Sequence, residues 1–236
     1  MREAFKKAAN AALGRGGFRL ISSSWGPRGF AAPLRRLVNQ GWRPRQIVDV
    51  GAFKGTWTTE CLGICPDARY LLIDPLPSNR AVLAEMESRY ANVTAWFGAA
   101  GPEDGELVIH SHSDQSSPLV AVEARWRATE SITVPVRTLD SFVVSGEIAP
   151  PQLIKADVQG YELEVLRGAS EALASADAVL LEVSFRELYE LQPLAHEVVA
   201  FLGERGFMIA DVCSYSQGAD GSLEQSDMLF LRRSRL

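Results

Sequence analysis

The chain has 236 residues, of which 47% are apolar and 22% charged, and this composition excludes a disordered or collagen-like chain. Its longest apolar runs, such as Ala178–Leu181, fall far short of the ~20 residues that span a bilayer, and Met1–Asn10 lacks the apolar stretch of a secretory signal. The net charge of −5 combines +9 over residues 1–45 with −14 over the remainder, and so acidic a body disfavours binding to duplex nucleic acid.

From residue 46 onward, strand-like and helix-like segments alternate. Apolar runs predict buried parallel strands at Gln46–Val50, Arg69–Ile73, Val93–Phe97, Leu153–Ala156 and Ala178–Val183. Helical spacing predicts helices at Gly55–Ile64, from an N-cap at Ser78 to Tyr90, at Gly160–Ala174 and at Leu194–Arg205. Two further strands, Phe207–Val212 and Asp227–Leu231, have no helix between them, so we expect the last to be antiparallel at or near the sheet edge.

This order predicts an α/β fold with a seven-stranded, mostly parallel, doubly wound sheet and helices on both faces. Residues 103–137 interrupt it as an inserted β-hairpin, with exposed strands at Glu106–His110 and Ile132–Val136 and a polar loop between them. Residues 1–45 form a basic, helical N-terminal extension to the domain of residues 46–236. Its positive charge favours contact with the acidic body, with a membrane surface or nucleic acid as the alternatives.

The turn after the first strand indicates a nucleoside site. Asp49 precedes a turn in which Gly51 and Gly55 permit close approach of a ligand, and Asp74 ends the next strand, where a carboxylate can accept hydrogen bonds from ribose hydroxyls. The dinucleotide signature GxGxxG and the Walker A loop are both absent. A ligand with a cationic amino-acid part and no phosphate, such as S-adenosylmethionine, fits this pattern. The alternative is that the two glycines only permit tight strand–helix packing.

Four motifs resemble those of the FkbM family of S-adenosylmethionine-dependent methyltransferases. They are Val48–Gly55 (VDVGAFKG), Leu72–Pro75 (LIDP), Thr138–Phe142 (TLDSF) and Leu153–Ala169 (LIKADVQGYELEVLRGA), within a match over residues 46–185. The resemblance implies a class I methyltransferase fold, with a Rossmann-like sheet, that methylates hydroxyl groups of sugars, glycolipids, polyketides or other natural products. Four positions depart from the family pattern, where Asn, Glu, Glu and a bulkier aliphatic residue are usual: Phe53, Asp74, Gln159 and Ala156.

The resemblance also implies a set of cofactor-binding residues. The methionine end would meet Asp49, Gly51, Ala52, Phe53 and Gly55, with Thr56 and Trp57 opening the next helix. Asp74, followed by Pro75, would bind the ribose, and Ala99 would lie beside the adenine. Ser116 and Ser117 face the pocket or belong to a solvated loop.

Transfer of the methyl to a hydroxyl requires a base for the hydroxyl proton. Asp157 and Glu182 lie near the ends of otherwise apolar strands, where an unpaired carboxylate is costly, and His110 and His112 lie in the insertion. We expect Asp157 to position or deprotonate the acceptor, aided by His112 or Glu182. The two carboxylates could also hold a divalent metal ion, an alternative that the sequence does not favour.

Other functions remain as alternatives. The missing GxGxxG disfavours an NAD-dependent oxidoreductase, and the sequence ADVQGY after the fourth strand lacks the tetrad of enzymes that methylate a flipped base. The main rival is a methyltransferase-like scaffold or partner-binding module without turnover. Three cysteines without a CxxC pair and an Arg to Lys ratio of 20 to 4 predict a cytoplasmic, bacterial protein, and a homodimer stays open.

Overall fold

Seven strands form the main sheet in a computed structural model that describes residues 29–112, 115–122 and 130–235. They are β1 (Gln46–Val50), β2 (Arg69–Asp74), β3 (Val93–Phe97), β8 (Leu153–Ala156), β9 (Ala178–Ser184), β10 (Phe207–Val212) and β12 (Leu223–Arg232). Their order across the sheet is β10-β12-β9-β8-β1-β2-β3, and a two-residue strand, β11 (Ser216–Gln217), pairs with β12 as an eighth.

The direction of the strands confirms the predicted sheet. β1, β2, β3, β8 and β9 pair in parallel, whereas β12 is antiparallel to both β9 and β10. The last strand is therefore antiparallel, as predicted, and lies one position inside the edge that β10 forms. The carboxyl ends of β1, β2 and β8 meet at one edge of the sheet, where such folds bind their ligands.

Helices cover both faces of the main sheet, which explains why its central strands are buried throughout. The helices are α1 (Ala31–Asn39), α2 (Thr56–Leu62), α3 (Arg80–Arg89), α4 (Leu139–Val144), α5 (Glu162–Arg167), α6 (Ser170–Ser175) and α7 (Ala195–Glu204). Side chains of a strand alternate between the faces, so Val48 and Val50 pack with α4 to α7, whereas Ile47 packs with α1, α2 and α3. Asp49 follows the alternation and points to the face of α1, α2 and α3.

The insertion forms a separate four-stranded sheet together with β4 (Ala99–Ala100), a short strand that precedes it. The strands of the insertion are β5 (Gly105–His112), β6 (Gln115–Ser117) and β7 (Glu130–Arg137), and the order across the sheet is β4-β7-β5-β6. β5 and β7 form the predicted antiparallel hairpin, and Ile109, Val134 and Val136 pack with Ala99 into a small core. The sequence did not predict β4 or β6, because strands of two or three residues give no periodic signal.

Two predicted helices differ from the structure. The helix predicted at Gly160–Ala174 is two helices, α5 and α6, since the chain turns at Gly168, where a side chain would collide with the carbonyl oxygen of Gly101. The predicted N-cap, Ser78, lies instead in a 3₁₀ turn, Pro77–Asn79, and α3 begins at Arg80. Helix α4 was not predicted and is capped by Thr138, whose Oγ1 accepts a hydrogen bond from the backbone N–H of Ser141.

The described part of the N-terminal extension packs against the main sheet. Leu34 and Leu37 of α1 are buried in the same core as α2 and α3, and Arg36 forms an ion pair of 3.0 Å with Asp211 of β10. This contact is of the kind predicted between the extension and the acidic body, whereas residues 1–28 lie outside the described residues. Within the described part of the chain, none of the helices has the length and apolarity to cross a membrane.

Candidate active site

The turn after β1 lies directly against the end of β8. Gly51 has a left-handed backbone (φ 72°), and a Cβ at this position would collide with the carbonyl oxygen of Asp157. Its backbone N–H donates to Ile73 at the end of β2, so the turn is held between both neighbouring strands. The turn therefore requires glycine here and brings backbone, not side chain, to the carboxyl edge of the sheet.

Asp74 fastens this turn to the next one. Its Oδ2 accepts a hydrogen bond from the backbone N–H of Phe53 (2.7 Å), and its Oδ1 accepts from the backbone N–H of Leu76 (3.0 Å) and the side-chain amide of Asn79 (2.9 Å). Burial raises the pKa of Asp74 despite these three donors. A carboxylate oxygen has two lone pairs, so Oδ2 keeps an acceptor position that no described residue uses.

A cavity of about 270 Å³ opens beside Asp74, and we name it the nucleoside cavity. Among the residues predicted to bind the cofactor, the structure places six along it: Gly51, Phe53, Asp74, Pro75, Ala99 and Ser116. Asn79, Ile109 and Tyr161 also line it and were not predicted. The insertion thus covers the cavity with Ile109 from β5 and Ser116 from β6.

Ser117 differs in position from Ser116, the preceding residue, which lines the nucleoside cavity. It is buried, and its hydroxyl donates to the backbone carbonyl of Gln159 (2.8 Å) while accepting from the backbone N–H of Leu119 (3.0 Å). Ser117 therefore ties the insertion to the loop after β8 and does not line the cavity.

A row of polar side chains crosses four adjacent strands on one face of the sheet: Asp49 on β1, Lys155 on β8, Glu182 on β9 and Asp227 on β12. The Lys155 ammonium lies 3.0 Å from Asp49 Oδ1 and 4.0 Å from Asp157 Oδ2, and it donates to the carbonyl of Gly51 (2.9 Å). Burial opposes this charge, but the facing carboxylates outweigh burial and raise the pKa of Lys155.

Asp49 lies beneath the turn and lines neither the nucleoside cavity nor a second cavity that lies over the polar row. It is completely buried, and its Oδ2 accepts a hydrogen bond from Thr58 Oγ1 of α2 (2.7 Å). Gly55 likewise lines neither of these two cavities and is the N-cap of α2. Both residues support the turn from below, which differs from the direct cofactor contact that the resemblance implied.

A second cavity, of about 300 Å³, lies over this polar row, and we name it the acidic cavity. Its polar lining comprises Thr56, Glu60, Lys155, Asp157, Glu182 and Asp227. Ala52, predicted at the methionine end, and Trp57, predicted to open the next helix, also line it. The rings of Trp57 and Phe30 lie 5.2 Å apart at its wall. The nucleoside and acidic cavities share three lining residues: Gly51, Phe53 and Asp157.

The structure brings Asp157 and Glu182 together through Gln159. The side-chain nitrogen of Gln159 donates to Asp157 Oδ1 (3.0 Å) and to Glu182 Oε2 (3.1 Å). Glu182 Oε2 also accepts from the amide of Gln225 (2.6 Å), and Tyr189 donates its hydroxyl to Gln159 Oε1 (3.3 Å). Asp157 keeps 38% of its side chain exposed at the junction of the two cavities.

Burial raises the pKa of both glutamates near this junction, Glu162 and Glu182. Burial, followed by the charges of Asp157 and Glu162, raises the pKa of Glu182 to about 9, so its carboxyl group holds a proton at neutral pH. Burial raises the pKa of Glu162 to about 7, although its Oε1 accepts hydrogen bonds from the backbone N–H groups of Val158 and Gly160. Glu162 therefore shapes the loop after β8, while Glu182 faces the acidic cavity.

The two histidines are not placed with these carboxylates by any described contact. His110 lies next to Ile109 on β5, so its side chain points away from the nucleoside cavity that Ile109 lines, and its Nδ1 lies 2.9 Å from Ser131 Oγ. The side chain of His112 lies outside the described residues. Among the described residues, His, Cys, Asp and Glu form no group of three or more that could hold a metal ion.

The polar residues of the site that were not predicted include Asn79, Lys155, Asp227 and Gln159, which bridges Asp157 and Glu182. Lys155 carries a signal in the sequence, since a lysine in the apolar run LIKA must find a buried partner. Gln159 and Asp227 carry no such signal, because Glu182 and Ser214, which they contact, are distant in the sequence. Asn79 lies only five residues after its partner Asp74, but no motif marks the pair.

Comparison with known proteins identifies the family. A model described as the methyltransferase FkbM domain matches residues 49–209. Hexuronic acid methyltransferase AglP of Haloferax volcanii is 30% identical over 159 residues, which cover 66% of this chain and 63% of AglP, so the match spans less than two thirds of that relative. The 2-O-methyltransferase NoeI of Sinorhizobium fredii is 25% identical over 173 residues, covering 67% of this chain and 71% of NoeI.

One solved structure supports the same fold. The crystal structure of methyltransferase FkbM from Methylobacillus flagellatus matches with a TM-score of 0.52 at 17% identity, over 79% of this chain and 43% of that one. The predicted class I methyltransferase fold and the predicted family are thus both confirmed. Since the family model covers most of the sequence, the chain belongs to the FkbM methyltransferase family.

Proposed function

We propose that the chain transfers the methyl group of S-adenosylmethionine to a hydroxyl group of a small molecule of the sugar or natural-product type. The observation that carries the proposal is the junction of two cavities at Asp157, one suited to a nucleoside and one to a hydroxylated acceptor. Family membership supports methyl transfer.

The nucleoside cavity fits the adenosine part of this cofactor. Asp74 Oδ2 retains an acceptor position for a ribose hydroxyl, Ala99 and Ile109 offer apolar walls for adenine, and no side chain at Gly51 crowds the approach to the acidic cavity. The sulfonium and ammonium of the cofactor would face a carboxylate-rich lining, whose charge favours cations.

Asp157 acts in this proposal as the base. When bound, S-adenosylmethionine supplies a methyl group that the positive sulfur already activates, so the protein mainly orients the acceptor and removes its proton. Asp157 accepts that proton as the acceptor oxygen takes the methyl group. Gln159 holds Asp157 Oδ1, which leaves Oδ2 turned toward Lys155, 4.0 Å away.

Glu182 takes part as a hydrogen-bond donor. Its pKa of about 9 means that it enters the reaction protonated, and Oε2 is already engaged by two amide donors. The protonated carboxyl group orients an acceptor oxygen next to Asp157. This separates the two carboxyl groups into a base and a donor, as the different environments of paired acids do in other enzymes.

The acceptor is a sugar-type hydroxyl in this proposal. The acidic cavity combines the aromatic side chains of Phe30 and Trp57 with carboxylates, and such a lining suits the apolar ring face and the hydroxyl groups of a sugar. The names of AglP and NoeI, hexuronic acid methyltransferase and 2-O-methyltransferase, support the same class.

A cytoplasmic location fits the three buried cysteines, which are free thiols.

A methyl-transfer assay tests the proposal. Labelled S-adenosylmethionine is incubated with a panel of neutral glycosides, uronic acids and polyketide alcohols, and the wild type is compared with the Asp157→Asn variant. We expect label on the oxygen of at least one acceptor with the wild type and loss of that label with the variant. Cofactor binding without transfer to any acceptor would favour the scaffold alternative.

A further inference from the structure

One amide group of the site lies where two carboxylates converge. The nitrogen of Gln159 donates one hydrogen to Asp157 and the other to Glu182, at 3.0 and 3.1 Å. An NH₂ group has only two hydrogens, so both are used on these acids. The amide oxygen accepts from Tyr189, a buried side chain, which identifies the nitrogen as the atom that faces the carboxylates.

The backbone of Gln159 is held in place from several sides. Its φ of 54° is left-handed, which is unusual for glutamine, and its carbonyl accepts the hydroxyl of buried Ser117 at 2.8 Å. The backbone N–H groups of Val158 and Gly160, on either side, both donate to Glu162 Oε1. A strained residue persists only where the surroundings fix it, so the position of the amide is built into the loop.

Two carboxylates that face one point form half of a divalent cation site, since such ions take oxygen ligands from several acids. Here the side-chain nitrogen of Gln159 lies at that point, and its two N–H groups form hydrogen bonds with both acids without adding charge. We propose that the amide of Gln159 occupies the place of a bridging cation, so that Asp157 and Glu182 are positioned without a metal ion. Gln159 is thus a positioning residue, and the inference rests on the proposed function of these two acids.

The inference predicts that a single substitution converts the site into a metal site. In Gln159→Glu, a third carboxyl group replaces the two donors. A cation that binds between the three acids displaces the proton of Glu182 and offsets the negative charges of the group. Gln225→Glu is the matched control, because Gln225 donates to Glu182 alone at 2.6 Å and the change adds the same charge without forming the three-acid group.

The experiment titrates full-length protein with Mn²⁺ and measures unbound Mn²⁺ by electron paramagnetic resonance. We expect Gln159→Glu to bind Mn²⁺ at least tenfold more tightly than the wild type and Gln225→Glu to stay within threefold of it. Adding Asp157→Asn to the Gln159→Glu variant should abolish the gain. A wild type that binds Mn²⁺ as tightly as Gln159→Glu, or a folded Gln159→Glu without any gain, would overturn the inference.

If Gln159→Glu does not fold, Gln159→Ala decides the question. It removes both donors and leaves the two acids facing each other, so it must bind Mn²⁺ at least threefold more tightly than the wild type. An affinity equal to that of the wild type would overturn the inference. Binding of S-adenosylhomocysteine to the wild type is measured separately, so failure of the proposed function is distinguishable from failure of this one.

Discussion

The two cavities of the site are built in different ways. In the nucleoside cavity, Asp157 lies at the junction with the acidic cavity, and the other carboxylate of the lining, Asp74, accepts hydrogen bonds from Phe53, Leu76 and Asn79 close by in the chain. In the acidic cavity, acidic side chains from α2, β9, β12 and the loop after β8 share the lining with the buried ammonium of Lys155.

The difference indicates that the two cavities have different roles, one in ligand binding and the other in proton transfer. A carboxylate with fixed donors can hold a ligand that is the same in every turnover, because nothing in its surroundings has to change. Acidic groups that lie close together titrate as a coupled set, because the charge of each one affects the pKa of the others. Such a set can take up the proton that an acceptor hydroxyl releases. The cofactor side is therefore suited to binding and the acidic side to chemistry.

The largest effect expected is on turnover. Asp157→Asn should reduce methyl transfer by about 10²–10⁴-fold, the range that general bases contribute, while the affinity for S-adenosylhomocysteine barely changes. Transfer assays and calorimetry measure the two quantities. The control is Asp211→Asn, whose partner is Arg36 at the surface. Equal turnover in the two variants would remove Asp157 from the mechanism.

The next effect is on stability at the base of the acidic cavity. Lys155→Met leaves Asp49 as an unpaired buried charge and should lower the free energy of unfolding by about 3–5 kcal/mol. Arg36→Met breaks an exposed ion pair and should cost about 1 kcal/mol or less. Urea denaturation compares the two. Similar losses of unfolding free energy in both variants would mean that the buried pair contributes no more to stability than the exposed pair.

A smaller change tests whether the two cavities depend on the same turn. Gly51→Ala places a Cβ against the Asp157 carbonyl, so we expect strain of about 1–3 kcal/mol and weaker binding of S-adenosylhomocysteine. Gly146 has a similar φ of 76° but open space around it, so Gly146→Ala should cost about 1 kcal/mol and leave binding unchanged. Calorimetry and thermal unfolding of both variants give the comparison; weaker binding in both would assign the effect to general instability.

The pH dependence of stability isolates Glu182. Its pKa is raised from 4.5 to about 9 in the folded state, so its contribution to stability is full below about pH 4.5 and is lost as the pH rises toward 9. The free energy of unfolding of Glu182→Gln should therefore fall less than that of the wild type between pH 5 and pH 9. Parallel curves would show that Glu182 ionises normally in the fold.

The smallest effect is expected for His110. Its described contact is Ser131 on the neighbouring strand, so His110→Ala should change the free energy of unfolding by about 0.5 kcal/mol or less and leave methyl transfer unaltered. A tenfold loss of methyl transfer would contradict this prediction and show that His110, and with it the insertion, takes part in the reaction.

The sequence predicts the nucleoside cavity better than the acidic one, for a physical reason. Gly51, Asp74 and Ala99 lie at the ends of β1, β2 and β3 or within two residues of them, and the fold brings these strand ends together at one edge. Asp157 and Glu182 were found by the same argument. The bridge through Gln159 and the pairing of Lys155 with Asp49 depend on side-chain directions and strand register across the sheet, which a single sequence does not specify.

The insertion illustrates the same limit. Its two long strands were predicted from alternation, but the short strand that carries Ser116 into the cavity wall pairs over only three residues. The positions of Asp49 and Gly55 show a further limit of prediction from a single sequence. Residues that lie below a turn and residues that line a cavity belong to the same motif, so the motif does not distinguish them.

The most direct test of the whole account is thermal unfolding with S-adenosylhomocysteine, using NAD as the control. At ~100 times the dissociation constant, a ligand adds about 2.7 kcal/mol to the stability of its site. For a chain of this size that corresponds to a rise of roughly 5–10 °C in the unfolding midpoint. We predict this rise with S-adenosylhomocysteine alone; no rise, or an equal one with NAD, would contradict the assignment of the nucleoside cavity.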